Sequence, residues 1–319
     1  MTSSSETFKL FLLRHGQSNL NHENIFCGWI DAKLTEKGEN QARNTAKLIQ
    51  DYCQTNNVTL PQIGYSSRLI RTQQTMDVIL EQFNLKGDKH IICGGEKTSS
   101  RELAQIPLKL LPSNTITNDK SDINEVSILQ TWRLNERHYG SWQGQRKPQI
   151  LQQYGDEQYM YIRRDFNGRP PKVDLNLEMV QEIDDKGSST GYEFKEPNRH
   201  LKYGLEESNN EPLPCGESLC DVGKRLGPFL DNVVLKIAKD HHLDSSLIVG
   251  HGSTVRSALK MLEGISDEEI KGIDIPNGIP LVIELDRASL KFVRRFYLDP
   301  ESAKINAEKV RKEGFENNP

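Results

Sequence analysis

The sequence predicts an α/β fold: a three-layer α/β/α sandwich around a mostly parallel sheet with one antiparallel edge strand. Three observations predict it. Apolar runs of strand length alternate with segments of helical periodicity. Two of those runs end alike: Phe8-Lys9-Leu10-Phe11-Leu12-Leu13 stops at Arg14-His15-Gly16, and Ser246-Leu247-Ile248-Val249 stops at Gly250-His251-Gly252. Further on, two strand-like stretches flank Asp286-Arg287-Ala288-Ser289, a turn that would make them an antiparallel pair.

Each element has its own signal. After the first His-Gly, a loop from Asn19 to Lys33 carries Cys27-Gly28-Trp29. Thr35 then caps a helix from Glu36 to about Tyr52, with Ala42, Ala46 and Ile49 on one face. Ile63-Gly64-Tyr65 is a short strand that ends in Ser66-Ser67-Arg68-Leu69-Ile70-Arg71, and a helix from Thr72 to about Phe83 follows. Residues 86–129 are rich in Ser, Thr, Asn, Asp and Gly and read as a surface insertion. Residues 132–172 carry eight Lys/Arg against four Asp/Glu, so this stretch can supply a local cationic site in an acidic chain. Residues 173–214 read as a long, acidic loop excursion. A helix from Glu217 to about Lys239 should be broken or bent near Gly227-Pro228. Thr254 to Leu262 is helical, Ile279 to Leu285 is a strand, and Lys291 to Tyr297 pairs with it. The tail, 299–319, is charged and Ala-containing and reads as a short helix with a fraying end. The whole chain, 1–319, reads as a single domain with two excursions and this tail.

Bulk properties exclude several function classes. The net charge of −4 argues against nucleic acid or an anionic membrane as the main partner. The first residues lack a basic leader pattern and no apolar run approaches membrane length, so the chain is expected in the cytoplasm. The five cysteines are odd in number and scattered, with no CxxC pair, which predicts reduced thiols and no structural metal.

Two strands that deliver a His-Gly to one edge of a parallel sheet imply one two-histidine site, because ligands bind at the carboxyl ends of such strands. A single His-Gly would be an ordinary turn; the pair, with Arg14 beside the first, is more. A neutral imidazole is a competent nucleophile near pH 7, since its reference pKa is about 6.5. Attack on phosphorus by His15 would give a phosphohistidine, and that step needs cations on the equatorial oxygens. Arg14, Arg71, Arg137, Arg163 and Arg164 are available, and the arginine fork matches phosphate. Taken alone, Arg163-Arg164 would be a solvated helix face and Glu136 a salt-bridge partner of Arg133 or Arg137. The pattern suits a small, multiply anionic substrate and requires no metal. Nucleotide-binding glycine loops are absent.

Several runs resemble the cofactor-dependent phosphoglycerate mutases of the histidine phosphatase superfamily. They are Leu13-Arg14-His15-Gly16-Gln17-Ser18, Gly28-Trp29, Trp132-Arg133-Leu134-Asn135-Glu136-Arg137-His138-Tyr139-Gly140, Leu262-Glu263-Gly264-Ile265-Ser266, Ile275-Pro276-Asn277-Gly278-Ile279-Pro280 and Tyr297-Leu298-Asp299-Pro300. The resemblance implies interconversion of 3-phosphoglycerate and 2-phosphoglycerate through phospho-His15, primed by 2,3-bisphosphoglycerate. It implies that Arg14, Arg71 and His251 surround the moving phosphoryl group and that Glu136 is the general acid/base. Asn21, Gly28, Arg137, Tyr139, Lys147, Arg163, Arg164 and Gly252 match positions that bind the substrate's anions. Gln17, Ser18 and His138 lie inside the same motifs and are counted with them. The tail would close over the site, and a homo-oligomer is left open.

The sequence departs from the family pattern at four places. Cys27 stands where a hydroxyl residue is usual, and Ser253 where an Asn is usual. Asn19-Leu20 replaces Glu-Trp, and the 86–129 stretch enters between Arg71 and Glu136. Cys27 and Ser253 remain among the expected substrate contacts. The departures keep two alternatives in view: bisphosphoglycerate synthase or phosphatase activity, and a weakly active or inactive homologue with a binding role.

Overall fold

The computed structural model describes residues 6–116, 124–173 and 199–315. Its centre is a seven-stranded sheet of order β3-β4-β2-β5-β1-β6-β7. The strands are β1 (Thr7–Arg14), β2 (Gly64–Ser66), β3 (Leu85–Ile91), β4 (Asn124–Gln130), β5 (Ser245–Gly250), β6 (Leu281–Asp286) and β7 (Phe292–Tyr297). β6 runs antiparallel to β1 and β7 antiparallel to β6, so the expected antiparallel pair closes one edge and β6 alone opposes the rest.

β1 shows why the fold has three layers. Its side chains alternate between faces, and from Leu10 to Leu13 both sets are apolar. Phe8, Leu10 and Leu12 join a core with Leu226, Phe229, Val255 and Leu259. Phe11 and Leu13 join another with Ala42, Ala46, Ile49, Met76 and Ile79. The second core faces α2 (Glu36–Asn56) and α3 (Ile70–Gln82). α2 begins at the Thr35 cap as expected but runs a turn further, ending where Asn57 turns left-handed. The first core faces α8 (Leu219–Phe229), α9 (Lys236–Asp240) and α10 (Gly252–Glu263). Pro228 sits inside α8 without breaking it, and the backbone instead widens to a π-helical turn over Leu230–Leu235. A proline removes one i to i−4 donor, and this wider turn lies just beyond it.

The other α-helices of the described residues are α1 (Asn19–His22), α4 (Glu96–Gln105), α5 (Lys147–Arg164), α6 (Arg199–Lys202), α7 (Gly204–Ser208) and α11 (Pro300–Lys312). The 86–129 stretch differs from expectation. Its two ends are β3 and β4, which pair in parallel from Leu85↔Asn124 to Ile91↔Gln130 and build the other sheet edge. The edge position accounts for the misreading: β3 exposes Lys86, His90's neighbours and Ile91 to solvent, so its sequence is loop-like, whereas Val126, Ile128 and Leu129 of β4 are buried. Residues 117–123 lie outside the described residues, as does most of the second excursion. Its remainder, α6 and α7, packs Tyr203 on Trp29 and Trp132. The tail is a full thirteen-residue helix capped by Asp299.

Candidate active site

β1 and β5 are parallel neighbours in the register Arg14↔Gly250, so the residues that follow them emerge side by side. The His15 N–H donates to the Gly250 carbonyl at 3.1 Å. The His15 and His251 rings lie 5.0 Å apart, centroid to centroid, at 65°. The turn after His15 is fixed on three sides. Gly16 N–H donates to Thr75 Oγ1 at 3.1 Å, and Asn277 Nδ2 to the His15 carbonyl at 2.8 Å. Gly16 also lies against the Gly38 backbone, where a Cβ would come within 2.7 Å of the Gly38 carbonyl carbon.

The hydrogen bonds fix which ring nitrogen of His15 is free of a proton. His15 Nδ1 lies 2.6 Å from the Gly16 carbonyl, an acceptor, so Nδ1 carries the proton. Nε2 accepts from Arg71 Nε at 3.1 Å and therefore presents its lone pair. Burial, then the charges of Arg71 and Arg14, hold the imidazole pKa well below 6.5 and keep it neutral. Arg71 is itself braced on the Ile30 and Gly28 carbonyls at 2.8 and 2.7 Å. His251 Nε2 meets Ser67 Oγ at 2.8 Å, and burial followed by Arg71 and His15 lowers its pKa as well.

Glu136 arrives from the far side. Its Oε1 accepts from the backbone N–H of Arg137 at 2.8 Å and of Ser253 at 3.2 Å. Its carbonyl accepts from Trp29 Nε1 at 2.8 Å and Arg225 at 3.0 Å. Arg225 also donates to the carbonyls of Trp132, Arg133 and Asn135 and pairs with the buried Glu217 at 2.7 Å, so one guanidinium shapes the whole Glu136 loop.

A cleft opens above these groups. Of the expected residues, Arg14, Asn21, Cys27, Gly28, Glu136, Tyr139, Lys147, Arg163, Arg164, Gly252 and Ser253 line it. The imidazoles of His15 and His251 and the Arg71 fork are buried and do not line it. Gln17 and Ser18 brace loops instead: Gln17 Oε1 accepts from Thr35 Oγ1, and Ser18 caps α1 with Asn21. Arg137 lies away from the cleft, donating to the Ile162, Gly168 and Arg163 carbonyls across the Tyr139 ring. His138 is likewise structural, its Nδ1 accepting from Gly140 N–H. The Cys27 thiol, pushed up in pKa by burial, contacts the Ile30 carbonyl at 3.7 Å.

Sequence reasoning missed Arg256, Asp274 and Glu313, which also line the cleft. Arg256 follows Gly252 by four residues and Ser253 by three on α10, so helical periodicity sets the three on one face toward the site. Asp274 pairs with Arg164 and Arg311. Four guanidinium nitrogens on the lining arginines, Arg14 Nε, Arg164 Nε and Nη2, and Arg256 Nε, are buried and lack a partner. Such donors fit oxygen-rich anions. Among the described residues no group of three His, Cys, Asp or Glu side chains is placed to hold a metal ion, and no helix is long and apolar enough to cross a membrane.

The chain is similar to known proteins along its length. The family model described as histidine phosphatase superfamily (branch 1) matches residues 10–90 and 178–296. Phosphoglycerate mutase 3 of Saccharomyces cerevisiae is 64% identical over 99% of this chain and 99% of its own length. Phosphoglycerate mutase 2 of the same yeast is 62% identical over the full length of both. The 2,3-bisphosphoglycerate-dependent phosphoglycerate mutase of Nocardia farcinica is 34% identical over 97% of this chain and 99% of its own. In fold, the chain is similar to a mycobacterial glucosyl-3-phosphoglycerate phosphatase, with a TM-score of 0.55 at 17% identity, covering 91% of this chain and 98% of that one. With two buried histidines at adjacent strand ends and these relatives along its whole length, the chain belongs to the phosphoglycerate mutases of the histidine phosphatase superfamily.

Proposed function

We propose that this protein interconverts 3-phosphoglycerate and 2-phosphoglycerate through phospho-His15, in glycolysis and gluconeogenesis. The observation that carries the reading is the His15 tautomer: Nδ1–H tied to the Gly16 carbonyl and Nε2 free of a proton beneath an arginine-lined cleft. Arriving phosphate oxygens take over the Arg71 hydrogen bond and release the Nε2 lone pair for attack on phosphorus. Arg14 and Arg71 then balance the charge on the equatorial oxygens. Glu136 accepts the proton of the attacking sugar-acid hydroxyl as the N–P bond breaks, and returns it to the leaving oxygen in the reverse step.

The priming phosphoryl group would come from 2,3-bisphosphoglycerate. The partnerless nitrogens of Arg14, Arg164 and Arg256, with Lys147 and Arg163, fit such a polyanion. The arginines supply the positive charge, so no metal is required. α11 borders the cleft through Val310, a position from which the tail would exclude water and favour transfer between hydroxyls over hydrolysis. The same reading makes the cytoplasm the expected compartment.

A coupled assay for 2-phosphoglycerate tests this with and without added bisphosphate and in the presence of EDTA. Stimulation by bisphosphate and indifference to the chelator are expected; the reverse of either sinks the reading. His15→Ala should abolish an acid-labile phosphoenzyme, whereas Glu136→Gln should still form it slowly. Inorganic phosphate released per mutase turnover should be small.

A further inference from the structure

The cleft already contains an anion of the protein's own. Glu313, just past α11, places its carboxylate 2.6 Å from Lys147 Nζ and 3.2 Å from an Arg163 nitrogen. These are two of the cations that the mutase reading assigns to substrate. The seat is built rather than incidental. The Glu313 carbonyl accepts from Arg163 at 2.7 Å and from the Tyr159 hydroxyl at 3.2 Å, and Arg163 also holds the Val310 carbonyl at 2.8 Å. Gly314 follows with φ +96 and passes so close to Tyr159 that a Cβ would lie 2.9 Å from its Cζ, and the Phe315 ring stands edge-on to Tyr159 at 6.0 Å. Burial alone would raise the Glu313 pKa, yet Lys147, Arg14 and Arg163 outweigh it and hold the acid at about 2. It is ionised throughout the physiological range.

Lysine and arginine offer their hydrogens to a carboxylate or to a phosphate, and those facing Glu313 cannot serve both. We propose that Glu313 is an internal competitor of the substrate: its carboxylate occupies one anion position of the cleft, and loading requires its displacement. The residue thereby sets how strongly, and with how much negative charge, a ligand must bind. This rests on the mutase reading for the identity of the natural ligand, but not for the competition itself.

The test uses the full-length protein with inorganic phosphate as probe, followed by calorimetry, alongside the KM for 3-phosphoglycerate. Glu313→Gln keeps the shape and removes the charge. It should bind inorganic phosphate about tenfold more tightly, as expected when one charge-assisted competitor is lost, with a parallel fall in KM. Glu313→Asp keeps the charge but draws it back by one methylene, and should bind phosphate with an affinity between those of the parent and Glu313→Gln. Gly314→Ala, which unseats the segment without altering its charge, should also tighten phosphate binding while raising phosphate release per turnover. Unchanged or weaker phosphate binding in Glu313→Gln overturns the proposal, for then Glu313 is a latch that closes with substrate. If no variant turns over 3-phosphoglycerate yet phosphate binding tightens, the competitor role stands and the mutase reading falls.

Discussion

Arg225→Met tests whether the Glu136 loop is held from behind. The guanidinium makes six hydrogen bonds, four to the carbonyls of Trp132, Arg133, Asn135 and Glu136 and two to Glu217. The carbonyls lose less than this suggests. Trp132 keeps Asn135 N–H, Asn135 keeps Thr254 Oγ1 and Glu136 keeps Trp29 Nε1. The main cost is the stranded Glu217, whose carboxylate retains the His138 N–H at 2.8 Å but no cation. Breaking a buried pair from one side costs about 3–5 kcal/mol, a large share of a typical total of about 5–15 kcal/mol. Urea denaturation should show that loss. Adding Glu217→Gln removes the unpaired charge, so the double variant should recover part of it. A displacement of Glu136 near 1 Å would lower kcat about a hundredfold. If Arg225→Met costs under about 1 kcal/mol, or the double variant is no better than the single, the stranded-charge argument is wrong.

Three further outcomes are expected. His15 has a lowered pKa, so its imidazole should titrate below 6.5 by NMR and the acid limb of the rate profile should follow it. In stability terms its contribution is complete above 6.5 and is lost as pH falls, because the unfolded chain then binds the proton first. A midpoint at or above 6.5 would contradict this. Gly16→Ala should destabilise by roughly 1–3 kcal/mol or more, because backbone of Gly38 meets the added methyl, and a thermal melt reads it directly. The double variant Cys27→Thr, Ser253→Asn places stronger hydrogen-bonding groups at two cleft positions. Its KM for 3-phosphoglycerate should fall up to about tenfold; an unchanged KM would show that neither position limits binding.

Glu136 entered only through the family resemblance, whereas the two histidines were legible because their positions follow from local rules: an apolar strand, a glycine turn, and a repeat of both at β5. β3 was not, since an edge strand exposes much of its length and its residues then resemble a loop. Arg137 shows a second limit. Its neighbours in sequence suggest an anion ligand, but the last turn of α5 and the segment just after it bring three carbonyls to its fork. Glu313 shows a third, because a charged tail gives no local sign of where it lands. Only the fold sets it on Lys147 and Arg163.

The position of β1 also governs how the protein is made. Lys9 must wait for Ser245, and Leu10 for Ile283, before the strand that carries His15 has either neighbour. Pairing across such sequence separation is slow, and an unpaired run as apolar as Thr7–Arg14 is prone to self-association meanwhile. The strand that ends at His15 is synthesised before both its partners and can be seated only after the last of them emerges. Refolding yield should therefore fall with protein concentration, and polar substitutions in β6 should harm recovery of the site even though β6 touches no substrate.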